Sequence, residues 1–267
     1  MRVLIVGAGN MGQTYSQSFF DANVVSRSNL FFLEKRTDRS DLLEKWSEHP
    51  IQTAPGDFIK EMDLVILAVK PQDFGSLADQ LRPFLRSDQL IISIMAGITV
   101  PRLVKALDVS KVVRAMPNLP AQVGLGMTVF TTSPEVSRLE IFTVQNLLNT
   151  TGKTLYVEAE DLLDAATAIS GSGPAFVFYV MNAMMIRARD MGFSEAEAKL
   201  LVHQTFRGSI NLLNRNSLGC EEWIARVSSK GGTTEAAINF FDEKALTSLI
   251  GQGLEVAKNR ARELSQT

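Results

Sequence analysis

The first residues able to do chemistry together are Val3-Leu4-Ile5-Val6-Gly7-Ala8-Gly9-Asn10-Met11-Gly12, an apolar run that breaks into G-x-G-x-x-G. In such a pattern Gly7 permits a tight turn and Gly9 lets the backbone approach a pyrophosphate. Gly12 lets the following helix pack against a sheet, with its N-terminal amides facing the anion. Ala8, Asn10 and Met11 fill out the loop. Glu34 stands 22 residues after Gly12, where an acid would hydrogen-bond the adenosine ribose of NAD. Lys35, Arg36 and Arg39 beside it could instead hold the 2′-phosphate of NADP. The two signals conflict, and solvated charges at a strand end would account for at least two of the four residues.

Three further segments carry the marks of ligand-lining loops. Ala68-Val69-Lys70-Pro71, Ser93-Ile94-Met95-Ala96-Gly97 and Arg114-Ala115-Met116-Pro117-Asn118-Leu119-Pro120 each follow an apolar run. In open α/β sheets ligands bind outside the carboxyl ends of the strands, so these loops would line one cleft. Farther on, Ser170-Gly171-Ser172-Gly173-Pro174 and Ser228-Ser229-Lys230-Gly231-Gly232-Thr233-Thr234 each open a helix. Small residues and free amides at such a point form an anion cradle, and the second segment suits a substrate carboxylate. The long run after Pro174 carries Met181, Met184 and Met185 among Phe, Val and Ala, which reads as a close-packed core or subunit contact. His49 and His203 lie far apart and Cys220 is the single cysteine. A two-His metal motif, a Cys-based zinc site and an intrachain disulfide are therefore excluded, and no metal is expected.

These residues need a scaffold, and the chain supplies two kinds. Short uninterrupted apolar runs at 3–6, 30–33, 64–69 and 90–94 read as strands buried on both faces. Further strand candidates are 111–115, 127–130 and 154–157. Helix-forming stretches separate them near 11–22, 39–47, 72–84, 101–107 and 134–148. The alternation predicts a parallel sheet covered by helices. After about Glu158 the strand-like runs stop, and 162–169, 174–191, 194–213, 221–227, 234–241 and 244–263 read as helices, with Gly192 and Ser194 as caps between two of them.

Composition sets the remaining bounds. The 267 residues are 45% hydrophobic and 21% charged with a formal net charge of −2, an ordinary globular balance that suits one large domain or two modest ones. That charge gives no reason to expect a nucleic acid or an anionic membrane as partner. No apolar run approaches the ~20 residues that span a bilayer. The amino-terminal run reads as a first strand rather than a signal peptide, and a reduced, cytoplasmic location is expected.

Taken together and in order, GAGNMG at 7–12, AVKP at 68–71, SIMAG at 93–97, RAMPNLP at 114–120, SGSGPA at 170–175 and SSKGGTTEAA at 228–237 resemble pyrroline-5-carboxylate reductase, the last being the most specific. The resemblance runs through nearly the whole chain. It implies an α/β Rossmann-type parallel-sheet domain over residues 1–158, followed by an all-α dimerisation and substrate-binding domain over 159–267. It implies reduction of Δ1-pyrroline-5-carboxylate by NADPH, with NAD also usable, in a homodimer that assembles in some members into a ring of dimers. On this pattern Gly7 to Gly12 meet the pyrophosphate, and Ala68, Val69, Lys70, Pro71, Ile94, Met95 and Ala96 border the ribose and nicotinamide. Asn118 lies near the nicotinamide pocket. Ser229, Gly232, Thr233 and Thr234 hold the substrate carboxylate, with the Thr234 hydroxyl near the ring nitrogen, and Glu160 approaches the product. Three departures stand out: Lys230 where proline is frequent, Leu119 where a small polar residue is usual, and Pro55-Gly56 where some relatives place an asparagine near the adenine.

The chemistry agrees with the residue types. A cyclic imine is more basic than a carbonyl and, once protonated, accepts hydride readily. A hydroxyl or water then suffices at nitrogen, and a histidine general acid is not needed. A β-hydroxyacid dehydrogenase shares the two-domain plan but relies on a lysine in the long helix after its glycine-rich junction, and 175–182 contains none. A non-catalytic nucleotide-binding relative is the other alternative, against which the intact SGSGPA and GGTT segments argue.

Overall fold

The computed structural model describes the backbone of all residues except Thr37, Arg39 and Thr267, and the side chains of these except Ser40, Leu42 and Gln266. The apolar runs become strands: β1 Val3–Val6, β2 Leu30–Leu33, β3 Leu64–Leu67, β4 Leu90–Ser93, β5 Val112–Met116, β6 Gly126–Thr132 and β7 Gly152–Tyr156. They form one sheet in the order β2-β1-β3-β4-β5-β6-β7. Every residue of β1, β3 and β4 is buried, which is why their sequences lack alternation.

β1 to β5 are parallel, as the alternation predicts. β6 differs, for it runs antiparallel to β5, and β7 is parallel to β6. The reason lies in the connections. Between β5 and β6 there is only the single 3₁₀ turn Leu119–Val123, too short for the crossover that a parallel neighbour requires. Between β6 and β7 the helix α5, Arg138–Leu148, supplies such a crossover. Its start is fixed by a capping box: the Ser137 hydroxyl accepts from the Glu140 N–H while Glu140 Oε2 accepts from the Ser137 N–H at 2.8 Å.

The other connections carry α1 Asn10–Asp21, α2 Ser40–Leu43, α3 Phe74–Leu81 and α4 Val100–Leu107. α2 is shorter than the 39–47 stretch expected. One core cluster contains Tyr15, Phe19, Phe32, Phe130 and Leu147, and a second contains Leu4, Ile59, Phe74, Leu81 and Leu103. β1 lies between β2 and β3, so the chain leaves it in opposite directions on its two sides. A crevice opens at such a point, beyond the carboxyl ends of the strands.

From Leu162 the chain is helical: α6 Leu162–Ala166, a π-helical turn Thr167–Gly171, α7 Gly173–Asp190, α8 Glu195–Asn214, α9 Cys220–Val227, α10 Thr233–Glu243 and α11 Leu246–Gln266. Gly192 turns at φ +106° and Ser194 caps α8, as expected from sequence. By contacts the chain divides into two compact units, Met1–Ser172 joined by the end of α11 from Ala257, and Gly173–Val256.

In the second unit, among the described residues of the chain taken alone, none in α7 is buried; Tyr179 is 78% and Leu200 69% exposed. The helical stretch Leu162–Asp190 is also long and apolar enough, by length and composition, to cross a membrane, with a mean hydropathy of 1.3 over its best window. This corrects the expectation that no apolar stretch reaches that length: Asp164, Ser170, Ser172 and Asn182 interrupt the stretch, yet its average stays apolar.

Candidate dinucleotide and anion sites

The three glycines after β1 are required for different reasons. Gly7 turns at φ +89°, and its N–H donates to the Leu33 carbonyl at 2.9 Å. A Cβ there would stand 2.8 Å from Val69 Cγ1, and one on Gly12 would stand 2.2 Å from the Gly7 carbonyl oxygen. Internal packing alone therefore demands glycine at both positions. Gly9 has ordinary extended backbone, and nothing lies within 4 Å of where its Cβ would be. Its bareness relieves no clash inside the chain and leaves open space at the N-terminus of α1. Gly9 is the N-cap of α1 and no side chain caps that end. An approachable backbone at an uncapped helix start is what a pyrophosphate needs.

A cavity of about 390 Å³ opens beside this turn and gathers Gly7, Gly9, Glu34, Lys35, Arg36, Ala68, Val69 and Lys70. Thr53 and Pro55 also line it, as do Asp73 from the turn before α3 and Ser76, Leu77 and Gln80 along one side of α3. The sequence reading missed the α3 face. Its signal is the spacing of Asp73, Ser76 and Gln80, which sets them on one side of a helix that follows a strand end.

Glu34 is buried, and its carboxylate is at work within the loop. Oε2 accepts from the Ala8 N–H at 2.7 Å and Oε1 from the Arg36 N–H at 2.9 Å. The side chain thus braces the glycine turn from the wall of the cleft. Arg36 is held bidentately by Asp38, Nε to Oδ1 at 3.1 Å and Nη2 to Oδ2 at 2.6 Å. The Asp38 hydrogen bonds raise its pKa above the ordinary guanidinium value. Any 2′-phosphate at Arg36 must share that group with Asp38. Arg39 lies outside the described residues.

The remaining expected dinucleotide residues do not line this cavity. Ala8 is fully buried, Met95 is 2% exposed within the second core cluster, and Met11 and Ile94 pack against the first. Asn10 and Pro71 are exposed, Gly12 is buried and Ala96 partly so. Asn118 is a bracket: its Nδ2 donates to the Ser170 carbonyl at 2.9 Å, and its Oδ1 accepts from the Met127 N–H at 2.8 Å. It thereby ties the loop after β5 to the π-helical turn, an interruption often found at functional sites. Glu160 is engaged too, with Oε1 accepting from Arg114 Nη1 and from the Val100 N–H, both at 2.8 Å.

In the second unit the loop 228–232 before α10 is preformed. Gly231 turns at φ +73°, its N–H donates to Glu235 Oε2 at 2.7 Å, and the Gly232 N–H donates to the Ser229 carbonyl at 2.9 Å. A Cβ on Gly232 would strike Ser229 Oγ at 2.5 Å. Gly232 is the N-cap of α10 and offers no side chain to cap it. The amides of Thr233 and Thr234 in the first turn therefore have no side-chain acceptor there. Among the described residues the half-buried Thr234 makes no side-chain hydrogen bond, so its hydroxyl is uncommitted. Lys230 is exposed at the turn, where Gly231 alone provides the left-handed residue.

Comparison with known proteins supplies the remaining findings. Residues 160–264 match the family model described as pyrroline-5-carboxylate reductase dimerisation, and residues 2–97 match that of coenzyme F420-dependent NADP oxidoreductases. The chain is 34% identical to the pyrroline-5-carboxylate reductase of Aquifex aeolicus, over 99% of this chain and 97% of that one. It is 32% identical to the Pseudomonas aeruginosa enzyme of that name, over 99% and 97%. Among solved structures, a pyrroline-5-carboxylate reductase from Coxiella burnetii superposes with a TM-score of 0.89 at 29% identity, covering 100% of this chain and 99% of that one. The Plasmodium falciparum pyrroline carboxylate reductase, solved with NADP bound, gives 0.86 at 24% identity, over 99% and 98%.

Proposed function

The chain belongs to the pyrroline-5-carboxylate reductase family, and from that premise we propose that it reduces Δ1-pyrroline-5-carboxylate to L-proline, the final step of proline biosynthesis. NADPH is the preferred donor and NADH the alternative. When bound, the reduced nicotinamide supplies the hydride. The chain's own work is positioning.

The cleft fits such a group because Gly9 leaves open backbone at an uncapped helix start. Gly7 to Gly12 receive the pyrophosphate, and Glu34, Lys35 and Arg36 meet the adenosine ribose and its phosphate. Ala68 to Pro71, Ile94 to Ala96 and the loop held by Asn118 border the ribose and nicotinamide. Ser229, Gly232, Thr233 and Thr234 hold the substrate carboxylate. The Thr234 hydroxyl partners the ring nitrogen, donating to the neutral imine or accepting from the protonated one. One observation carries this reading: the glycine loop before α10 is preformed, offers uncapped amides, and leaves the Thr234 hydroxyl uncommitted. His49 is already used, stacked on Phe31 at 3.9 Å with Nε2 against the Ser28 carbonyl.

The active species is a homodimer, with rings of dimers as the larger assembly. The exposed Phe178, Tyr179, Leu200 and Leu201 are more apolar surface than a small helical unit leaves to water, and they fall within the span matched by the dimerisation model. A second copy of this chain, rather than lipid, covers α7. The enzyme works in the cytoplasm, where an exposed lone thiol such as Cys220 stays reduced, and it takes neither nucleic acid nor membrane as partner.

Following NADPH absorbance with pyrroline-5-carboxylate, and separately with 3-hydroxy acids and NADP, tests the reading. Rapid, substrate-dependent oxidation by the cyclic imine alone is expected. Turnover of a hydroxy acid without imine reduction would overturn it.

A further inference from the structure

Arg114 carries its charge inward from β5: its side chain is 4% exposed. Nη1 meets Glu160 Oε1 at 2.8 Å and Nη2 meets Asp164 Oδ1 at 3.1 Å. One guanidinium between two carboxylates leaves excess negative charge, which two further donors answer. The Val100 N–H in the first turn of α4 donates to Glu160 Oε1 at 2.8 Å, where the positive end of the helix dipole favours a carboxylate. The Ser265 hydroxyl in the last turn of α11 shares its proton between the Ala261 carbonyl at 3.0 Å and Asp164 Oδ1 at 3.3 Å.

One residue before Ser265, the Leu264 carbonyl oxygen would stand 3.0 Å from a Cβ on Gly97, whose φ is +74°. The end of α11 therefore touches the loop after β4 directly and reaches the loop after β5 through Asp164 and Arg114. These are the two loops assigned above to the nicotinamide side.

We propose that Arg114, Glu160 and Asp164, closed by the last turn of α11, are positioning residues that set the spacing of these two loops and so govern hydride transfer rather than dinucleotide affinity. This rests on the functional reading above. A buried charge that loses a partner finds no water to replace it, so the cluster holds one geometry. A displacement of about 1 Å at a reacting centre lowers a rate by as much as about 100-fold. Glu160 on this account acts through Arg114 and Val100 and does not contact the substrate.

Asp164→Asn, Ser265→Ala and Gly97→Ala test the proposal, with Glu263→Gln, an exposed position on the same helix, as control. Three measurements apply to each full-length protein. They are NADPH affinity by fluorescence, amide hydrogen exchange over residues 94–100 and 114–120 without dinucleotide, and the single-turnover rate with its primary deuterium isotope effect. Asp164→Asn and Gly97→Ala should exchange faster in both loops and turn over about 10- to 100-fold more slowly. The isotope effect should be larger and the NADPH Kd unchanged. Ser265→Ala should show a smaller loss, and Glu263→Gln none. Should Asp164→Asn fail to fold, Gly97→Ala, which removes no charge, carries the test. A wild-type rate and isotope effect in a folded variant would overturn the proposal, as would an NADPH Kd that weakens in step with the rate. Absence of wild-type turnover with NADPH binding intact would instead overturn the functional reading.

Discussion

At the scale of single residues, the clearest contrast is between side chains that the fold uses and those that it leaves free. Thr234 belongs to the second kind: it does not cap α10, which begins at Gly232 without a side-chain cap. Thr234→Ala should therefore spare the melting temperature and lower kcat/KM. One neutral hydrogen bond is worth about 0.5–1.5 kcal/mol, or about 3 if specific to the transition state, so the fall is on the order of 2- to 100-fold. Thr234→Ser should retain most activity, and NADPH affinity should not change in either variant. Measuring kcat/KM and melting on both separates this from a capping role, in which Ala would cost about 1 kcal/mol of stability and no turnover. Tyr15 makes the opposite case. Its hydroxyl is buried, and that burial pushes its pKa up to about 12, with the neighbouring Thr128 and Thr151 side chains opposing the shift. A neutral form favoured in the fold contributes fully below the unfolded pKa of about 10 and is lost as pH rises from there toward 12. Each unit in that window costs about 1.4 kcal/mol. Tyr15→Phe should be neutral or stabilising at pH 7 and should flatten the alkaline loss seen by chemical denaturation. An unchanged alkaline limb would place the titration elsewhere.

At the scale of elements, α5 shows how a helix start is fixed and what charge adds to it. Burial works against ionisation of Glu140, but hydrogen bonds from Lys111 and Ser137 and the Lys111 charge prevail and hold its pKa below the usual carboxylate value. A depressed pKa means that the stability is present above the unfolded value of about 4.3 and is lost as pH falls through the folded one. Glu140→Gln should cost about 1 kcal/mol at pH 7 and progressively less toward acid; equal losses at both ends would exclude a charge effect. The Ser137–Glu140 box is local but went unread, and the helix expected from 134 starts only at Arg138. The strands buried on both faces are equally local patterns and so were legible in sequence. Glycines 7 and 12 were legible for the same reason. The reversal of β6 was not, because it depends on how far the 119–123 turn can reach. The pairing of Arg114 with Glu160 and Asp164 joins residues 46 and 50 apart, and no local pattern announces it. Glu34 was found by its spacing, yet its use of both oxygens on the backbone of the glycine loop emerged only from the fold.

At the scale of the whole molecule, two helical stretches link the units, Leu162–Asp190 and α11, while much apolar surface of the second unit faces outward when the chain is alone. Light scattering at micromolar concentration should give a dimer or a multiple of it, and a stable monomer would contradict the assembly. The central claim is that the chain carries a hydride from a nicotinamide to a cyclic imine, with hydroxyl and backbone groups sufficing at nitrogen. The most direct measurement supplies NADPH deuterated at the transferred position of nicotinamide C4, together with pyrroline-5-carboxylate, and weighs the proline formed. Proline carrying one deuterium on its ring is the expected product. Unlabelled proline, or NADPH consumed without proline, would contradict the account.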